Sequence, residues 1–330
     1  MASCPPSRAF SRRRSRNKRE TIVSIREMFD LNQETKRVIA LGFFDGVHLG
    51  HGALLRRVAE VAKAEHAVAA AFTFDKHPAS EILGRQIPLL STPADREGLM
   101  ERYYGIQEVQ IGRFDRMMRM PWRDFVTEYL RKELGVVHVV AGHDFHFGYR
   151  GEGNPARLRQ LCAELGIGCD IIHKVELDGI TVSSTYIRTL VAQGEMGRAM
   201  EFLGHPHVFT GEVVHGKQLG RTIGFPTANL ILPPEIIVPA HGVYATKVVT
   251  PDGESHMAVT NVGRRPTIDD GDQITVEPWI LDFDGDLYGQ PIRVEFYEHL
   301  RSEQKFGSLE ELTAMVHRNG EQTRAYFERR

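Results

Sequence analysis

Gly42-Phe43-Phe44-Asp45-Gly46-Val47-His48-Leu49-Gly50-His51 decides the fold of the first half of this chain. The apolar run Val38–Leu41 leads into it, and a segment with Leu54, Leu55, Val58, Val61 and Ala62 at helical spacing follows it. A strand, a glycine turn and a helix are therefore expected in immediate succession. Gly46 permits a tight turn, and Gly50 lets a ligand approach the backbone closely. Free N–H groups at the start of a helix favour a phosphate, so His48 and His51 are placed to hold a polyphosphate and stabilise charge in phosphoryl transfer. Gly42, Phe44 and Asp45 are candidate nucleotide contacts of the same turn. Two alternatives stand beside this reading. His48, His51 and Asp45 can be zinc ligands, although metal-site helices usually carry ligands at i and i+4. The pattern can also be an accident of a helix start, which the strand–turn–helix context disfavours.

Outward from this point, strands are expected at Ala67–Phe74, Val136–Val140 and Cys169–Ile172. Helices are expected near Arg96–Tyr104, Trp122–Glu133 and Ala156–Leu165. The alternation implies a parallel α/β sheet, Rossmann-like, with helices on both faces. Gly142-His143-Asp144-Phe145-His146-Phe147-Gly148 follows the third strand, at the edge where open α/β sheets bind ligands. Asp144 there is a candidate for a ribose hydroxyl or a base; a plain Asx turn is the alternative. Ser183-Ser184-Thr185-Tyr186-Ile187-Arg188 sets hydroxyls before a helix, with Ser184, Thr185 and Arg188 as candidate phosphate contacts. A simple N-cap explains the hydroxyls equally well.

Beyond Gly204 the texture changes. Short β-rich runs at Val208–Val214, Val243–Val249, Met257–Val262, Trp279–Phe283 and Ile292–Tyr297 are separated by turn residues, as in a small antiparallel β-barrel. A C-terminal helix is opened by Ser308 and Glu311 at capping-box spacing. The domains expected are a tail at 1–20, an α/β domain at 21–190, a helical linker at 191–206 and the barrel at 207–330. Within the barrel, Gly216, Lys217, Gly220, Arg221 and Gly224 make a cationic glycine loop able to wrap phosphates. It lacks the P-loop order, and a plain hairpin loop is its alternative. Pro226, Thr227, Ala228 and Asn229 follow, and the oxygens of Thr227 and Asn229 share one face of an extended segment suited to Mg–ATP. Glu277 is one acid in an apolar strand: a general base for an alcohol, or an edge residue facing water.

The chain has 330 residues, 42% hydrophobic and 25% charged, an ordinary globular balance that calls for two domains. Its longest apolar stretch, Ala67–Phe74, is far too short to span a bilayer, and no membrane role is expected. The net charge of −2 gives no bulk attraction for nucleic acid. Residues 1–20 hold seven bases and one acid, which leaves −8 on the other 310. That tail is expected to be a disordered extension or to follow an upstream start; a polyanion-binding segment and a transit peptide are the alternatives. It lacks the apolar core of a secretory signal. Cys4, Cys162 and Cys169 form no CxxC pair, which fits the cytoplasm.

Taken together, the quoted motifs resemble a known family. GFFDGVHLGH, FTFDKHP (Phe72–Pro78), GHDFHFG and VSSTYIR are similar to the FMN adenylyltransferase module of prokaryotic bifunctional riboflavin kinase/FAD synthetases, within the HxGH nucleotidyltransferase superfamily. The loop at Gly216–Asn229, Asn261–Thr267, Glu277 and Leu300–Phe306 look like the riboflavin kinase module of the same enzymes. The resemblance implies ATP, Mg²⁺ and the flavins riboflavin, FMN and FAD as substrates, products or cofactors. It implies that His48 and His51 contact ATP phosphates, with Asp144, Ser184, Thr185 and Arg188 completing that site. It implies that Thr227 and Asn229 bind Mg–ATP, that Glu277 activates the riboflavin 5′-hydroxyl and that Arg301 closes the flavin site. The chain departs from the pattern in four places. Phe43 replaces a common Asn, Lys76 a common Pro and Trp279 a common His, and Arg318-Asn319-Gly320 lacks the acid often found midway in the last helix. Trp279 is expected to fill core volume, and Lys76 to sit on a solvated loop.

Overall fold

Val38, Ile39, Ala40 and Leu41 offer no polar side chain, so the strand they form must be covered on both faces. The computed structural model describes residues 35–216, 224–266 and 272–329, and there β1 (Arg37–Leu41) is buried along its whole length. It is the middle of a parallel sheet with β2 (Val68–Phe74), β3 (Glu108–Gly112), β4 (Val136–Gly142) and β5 (Gly168–Ile172), in spatial order β3-β2-β1-β4-β5. Chain order reverses between β1 and β4. The turn after β1 and the loop after β4 therefore flank the crevice where such sheets bind ligands. Strand β3 lies at a sheet edge, and its alternating residues give no continuous apolar run, so the sequence reading had missed it.

Helix α1 (Leu49–Glu65) buries Leu54, Leu55, Val58, Val61 and Ala62, as their spacing required. Thr92 caps α2 (Pro93–Tyr104) by accepting from the Asp95 N–H at 3.0 Å, and Pro93 occupies its first turn. The expected helix Trp122–Glu133 is α-helical only at Trp122–Asp124 and continues as a π-helix over Phe125–Glu133. Asn154 caps α3 (Pro155–Leu165). The stretch Tyr186–Leu203 is two helices, α4 (Ser184–Gln193) and α5 (Met196–Leu203), because Gly194 turns left-handed at φ 80° and ends the first.

The second half is an antiparallel sheet of β8 (His207–Glu212), β9 (Leu230–Ile231), β10 (Gly242–Val249), β11 (Ser255–Pro266), β12 (Asp272–Ile280) and β13 (Pro291–Ser302), in the order β8-β13-β10-β11-β12-β9. A bridge between Val214 and Asn229 brings the end of the first strand back to the last, which nearly closes the barrel. A small hairpin, β6 (Glu176–Leu177) and β7 (Ile180–Thr181), precedes α4. Helix α6 (Leu309–Glu328) is capped by Ser308; Glu311 reaches back to the Gly307 N–H at 2.9 Å, one residue beyond the usual capping-box donor.

One apolar core joins the halves. Val191, Met196, Ala199, Phe202 and Leu203 of the expected linker pack in the same cluster as Phe209, Tyr244 and Phe296 of the barrel. Leu89 is bonded through its backbone across the junction: its N–H donates to the Glu235 carbonyl at 2.7 Å, and its carbonyl accepts from the Ile237 N–H at 2.8 Å. The basic tail at 1–20 and Lys217, Gly220 and Arg221 of the glycine loop lie outside the described residues.

Candidate active sites

The turn after β1 is strained. Phe44, Gly46 and Val47 all have positive φ, at 57°, 75° and 44°, and a β-branched residue there is a true outlier. A dense set of bonds to Asp45 and Gly46 holds it. The Asp45 carboxylate, 1% exposed, accepts from the Leu90 N–H at 2.9 Å, the Ser91 N–H at 3.2 Å and Arg188 at 2.6 Å. The Gly46 N–H donates to Ser91 Oγ at 2.9 Å, and Ser184 Oγ donates to the Asp45 carbonyl at 3.0 Å. A Cβ on Gly46 would lie 2.8 Å from Leu90, so this glycine is obligatory twice over.

The same geometry sets the state of the histidines. His48 caps α1: its Nδ1 accepts from the His51 N–H at 3.2 Å, so its ring proton sits on Nε2. The two rings stack at 3.6 Å, 12° from parallel. Burial pulls the His48 pKa down to about 3 and holds His51 well below its ordinary value. Both are neutral at pH 7, and His48 presents an N–H donor without charge. The zinc alternative fails on the same facts, because the Asp45 carboxylate is already committed to Arg188 and two amides. Among the described residues no group of three or more His, Cys, Asp or Glu is arranged to hold a metal.

The structure thus brings His48, His51, Ser184 and Arg188 to one place. Phe44 and Asp45 are buried, and their side chains scaffold the turn instead of offering the nucleotide contacts expected of them. Gly42 packs against the Phe44 ring, and Gly50 against His48. Thr185 is exposed on the first turn of α4, and Asp144 is exposed just beyond β4, with Oδ1 close over Gly142. Lys76 is exposed and pairs with Glu81, as a solvated-loop residue should. Arg96, absent from the sequence reading as a site residue, lies buried beside the turn. Its signal was the period of α2, which puts Arg96 on one face with Leu99 and Met100.

The barrel carries two cavities that both have Thr227 in their walls. The smaller, about 380 Å³, is lined by Phe225, Asn261, Glu277, Trp279, Arg301, Phe306 and, from α6, Leu312, Val316 and Asn319. The larger, about 620 Å³, is lined by Val213, Pro226, Asp284, Asp286 and Tyr288. Glu277 lies opposite Asn261 on β12, which is paired on both sides near this point, and its Oε1 accepts from Thr275 Oγ1 at 3.0 Å. It is a wall residue of the smaller cavity, not an edge residue facing water. Trp279 also lines that wall, where core filling was expected; its ring meets Phe225 edge-on at 4.8 Å and closely approaches Gly320. Arg301 donates to Asn319 Oδ1 at 3.1 Å, which draws the last helix into the site despite its missing acid. Asn229 is buried, and its Nδ2 donates to the Thr227 carbonyl at 3.3 Å, leaving Oδ1 as an acceptor. Gly216 abuts that amide so closely that a Cβ would lie 2.5 Å away. Gly224 is exposed, with φ 85°.

Comparison with known proteins agrees with both halves. A family model described as FAD synthetase matches residues 30–186, and one described as riboflavin kinase matches 203–327. A protein of Listeria monocytogenes named bifunctional riboflavin kinase/FMN adenylyltransferase is 35% identical over 304 residues, 91% of this chain and 94% of the relative. Proteins of that name from Bacillus subtilis and Escherichia coli K12 are also 35% identical, covering 89% and 92% of this chain and 94% and 97% of theirs. A solved structure from Streptococcus pneumoniae, titled a macrolide-efflux protein, superposes with a TM-score of 0.77 at 30% identity, covering 89% of this chain and 96% of that one. Its title departs from the other names; among the described residues here no helix is long and apolar enough to cross a membrane. With two matched modules in the same order and relatives aligned over nearly their whole length, this chain belongs to the bifunctional riboflavin kinase/FMN adenylyltransferase family.

Proposed function

We propose that the barrel phosphorylates riboflavin to FMN and that the α/β half adenylylates FMN to FAD, both at the expense of ATP. The observation that carries the reading is the place of Glu277, on the wall of an aromatic cavity that shares Thr227 with a larger polar one. The smaller cavity suits the flavin ring, between Trp279, Phe225 and Phe306, and the larger suits the nucleotide. Glu277 takes the proton of the ribityl 5′-hydroxyl, whose oxygen attacks the γ-phosphorus of ATP and expels ADP. Thr227, in the wall of both cavities, and Asn229, two residues on, offer hard oxygen donors and are assigned the Mg²⁺ that accompanies ATP. Lys217, Gly220 and Arg221 are assigned to its phosphates, and Arg301 to the flavin.

In the α/β half a phosphate oxygen of FMN attacks the α-phosphorus of a second ATP, and the bond to pyrophosphate breaks. His48 Nε2 donates to the phosphates, His51 stands beside it, and Arg188 and Ser184 fix the turn. Asp144 and Thr185 are assigned to the nucleoside and phosphates. No side-chain nucleophile is required, since alignment and charge stabilisation carry the reaction. Free thiols at Cys162 and Cys169 suit a reducing cytoplasm. The test is chromatography of flavins after incubation with riboflavin, ATP and Mg²⁺, and then with FMN in place of riboflavin. Glu277→Gln is expected to abolish FMN formation and leave FAD formation from supplied FMN intact. His48→Ala is expected to do the reverse, and equal loss of both activities in either variant refutes the assignment of two sites.

A further inference from the structure

Arg96 is fully buried in the first turn of α2, at the C-terminal ends of β1 and β2. One terminal nitrogen, Nη1, donates to the Phe43 carbonyl at 2.8 Å, Thr73 Oγ1 at 2.9 Å and the Phe74 carbonyl at 3.2 Å. The Phe43 ring covers the guanidinium at 4.5 Å. The other two nitrogens, Nε and Nη2, are buried and meet no acceptor among the described residues. All the oxygens that Arg96 touches are uncharged. Of the carboxylates near it, Asp45 is held by Arg188 and two amides, and Asp75 accepts from the Phe114 N–H at 3.0 Å. Burial lowers the Arg96 pKa, a sign that its charge has lost water without gaining a full counter-ion. A buried cation with two idle donors is costly, and an anion relieves that cost.

Its position says which anion. Arg96 touches the turn that carries His48 and His51 but stands on the β2 flank, whereas Asp144, assigned to the nucleoside of ATP, stands beyond β4 on the other flank. The β2 flank is left for the second reactant. We propose that Arg96 binds the phosphate monoester of FMN, with Nε and Nη2 forming a forked edge to two of its oxygens. The third oxygen is then free to attack the α-phosphorus. Holding a dianion beside the triphosphate also offsets the repulsion between the two reactants. The inference rests on the assignment of adenylyl transfer to this site.

The test is initial-rate kinetics of FAD formation from FMN and ATP. Arg96→Gln is expected to raise KM for FMN by about 30-fold or more, the loss of a charge-assisted pair, with KM for ATP and the rate of riboflavin phosphorylation within about twofold. Arg96→Lys, with one point charge in place of the fork, is expected to fall between. In the unaltered protein, inorganic phosphate should inhibit competitively against FMN and not against ATP, a measurement that stands even where a variant misfolds. An unchanged KM for FMN in a variant that still phosphorylates riboflavin overturns the proposal. So does an equal rise in both KM values, or phosphate inhibition competitive against ATP alone. An unaltered protein that forms no FAD refutes the parent reading instead.

Discussion

Replacing Asp45 with alanine strikes the point where the adenylyl-transfer turn is fastened. The carboxylate, 1% exposed, is shared by the Leu90 and Ser91 amides and by Arg188, whose side chain is 13% exposed. Stranding a buried cation costs about 3–5 kcal/mol, and slight water access at Arg188 favours the lower end, about 3 kcal/mol. Each amide left without an acceptor adds about 1 kcal/mol, giving a loss near about 5 kcal/mol. That equals the whole stability of a marginal domain, about 5–15 kcal/mol. Asp45→Asn keeps an acceptor for the amides but turns an NH2 group toward Arg188, so the cation is stranded as before and a loss of about 3 kcal/mol is expected. Urea denaturation followed by tryptophan fluorescence measures both, because Trp122 lies in the α/β half and Trp279 in the barrel. FAD formation should fail in the alanine variant before riboflavin phosphorylation does. An alanine variant within about 1 kcal/mol of the original, still forming FAD at the normal rate, would show that the bonds to Asp45 do not hold the turn.

Gly216→Ala places a methyl 2.5 Å from the buried Asn229 amide, and riboflavin phosphorylation should drop by about tenfold or more, with adenylylation of supplied FMN unaffected; flavin chromatography reads both. Acid should destabilise the protein through its buried histidines. Burial lowers His48 to about 3 and His207 to about 4, so the unfolded chain binds protons that the folded one refuses. Their contribution is full above about pH 6.5 and is lost as pH falls from there toward 4 and 3, by about 2 kcal/mol for each at pH 5. Urea midpoints at pH 7.5 and pH 5 measure the loss, and a flat profile refutes the neutral assignment.

The α/β half was legible where its residues leave no choice. The apolar run Val38–Leu41 of β1 must be central, and the spacing of Leu54, Leu55, Val58 and Val61 admits only one helix face. Strand β3 was hidden because edge position removes the demand for a continuous apolar run, and the split of Tyr186–Leu203 because Gly194 is also tolerated within helices. In the site, His48 and His51 were visible through their place at a helix start, and Asp45 as an acid in the turn, whereas the inward role of Asp45 and the presence of Arg96 were not, since tertiary contacts define them. Asp45 meets Leu90, Ser91 and Arg188, which are 45, 46 and 143 residues away. Residue type showed that an acid stood in the turn; only the fold shows that it faces inward. Trp279 illustrates the same limit in the barrel, because apolar bulk reads alike in a core and on a cavity wall.

The adenylyl-transfer site depends on contacts between the halves. Leu89 is bonded through its backbone to Glu235 and Ile237, and its neighbours Leu90 and Ser91 supply the amides that grip Asp45. His205, just before the barrel, sets Nε2 3.1 Å from the Gly46 carbonyl, so the strained turn is bound from that side as well. On the barrel side, the buried Glu295 receives Arg102 from α2 at 3.1 Å, together with Arg293 and the Tyr297 hydroxyl at 3.0 Å. Helix α2 thus carries Arg96 against the adenylyl-transfer turn and Arg102 against the barrel, six residues apart on a short rigid element. Backbone strain at Phe44, Gly46 and Val47 persists only where the surroundings over-determine it, and here those surroundings come from both halves. Loosening the junction is therefore expected to reach FAD formation first, because that turn stores strain, whereas Glu277, Thr227 and Asn229 are held by barrel strands and short-range bonds of the barrel alone.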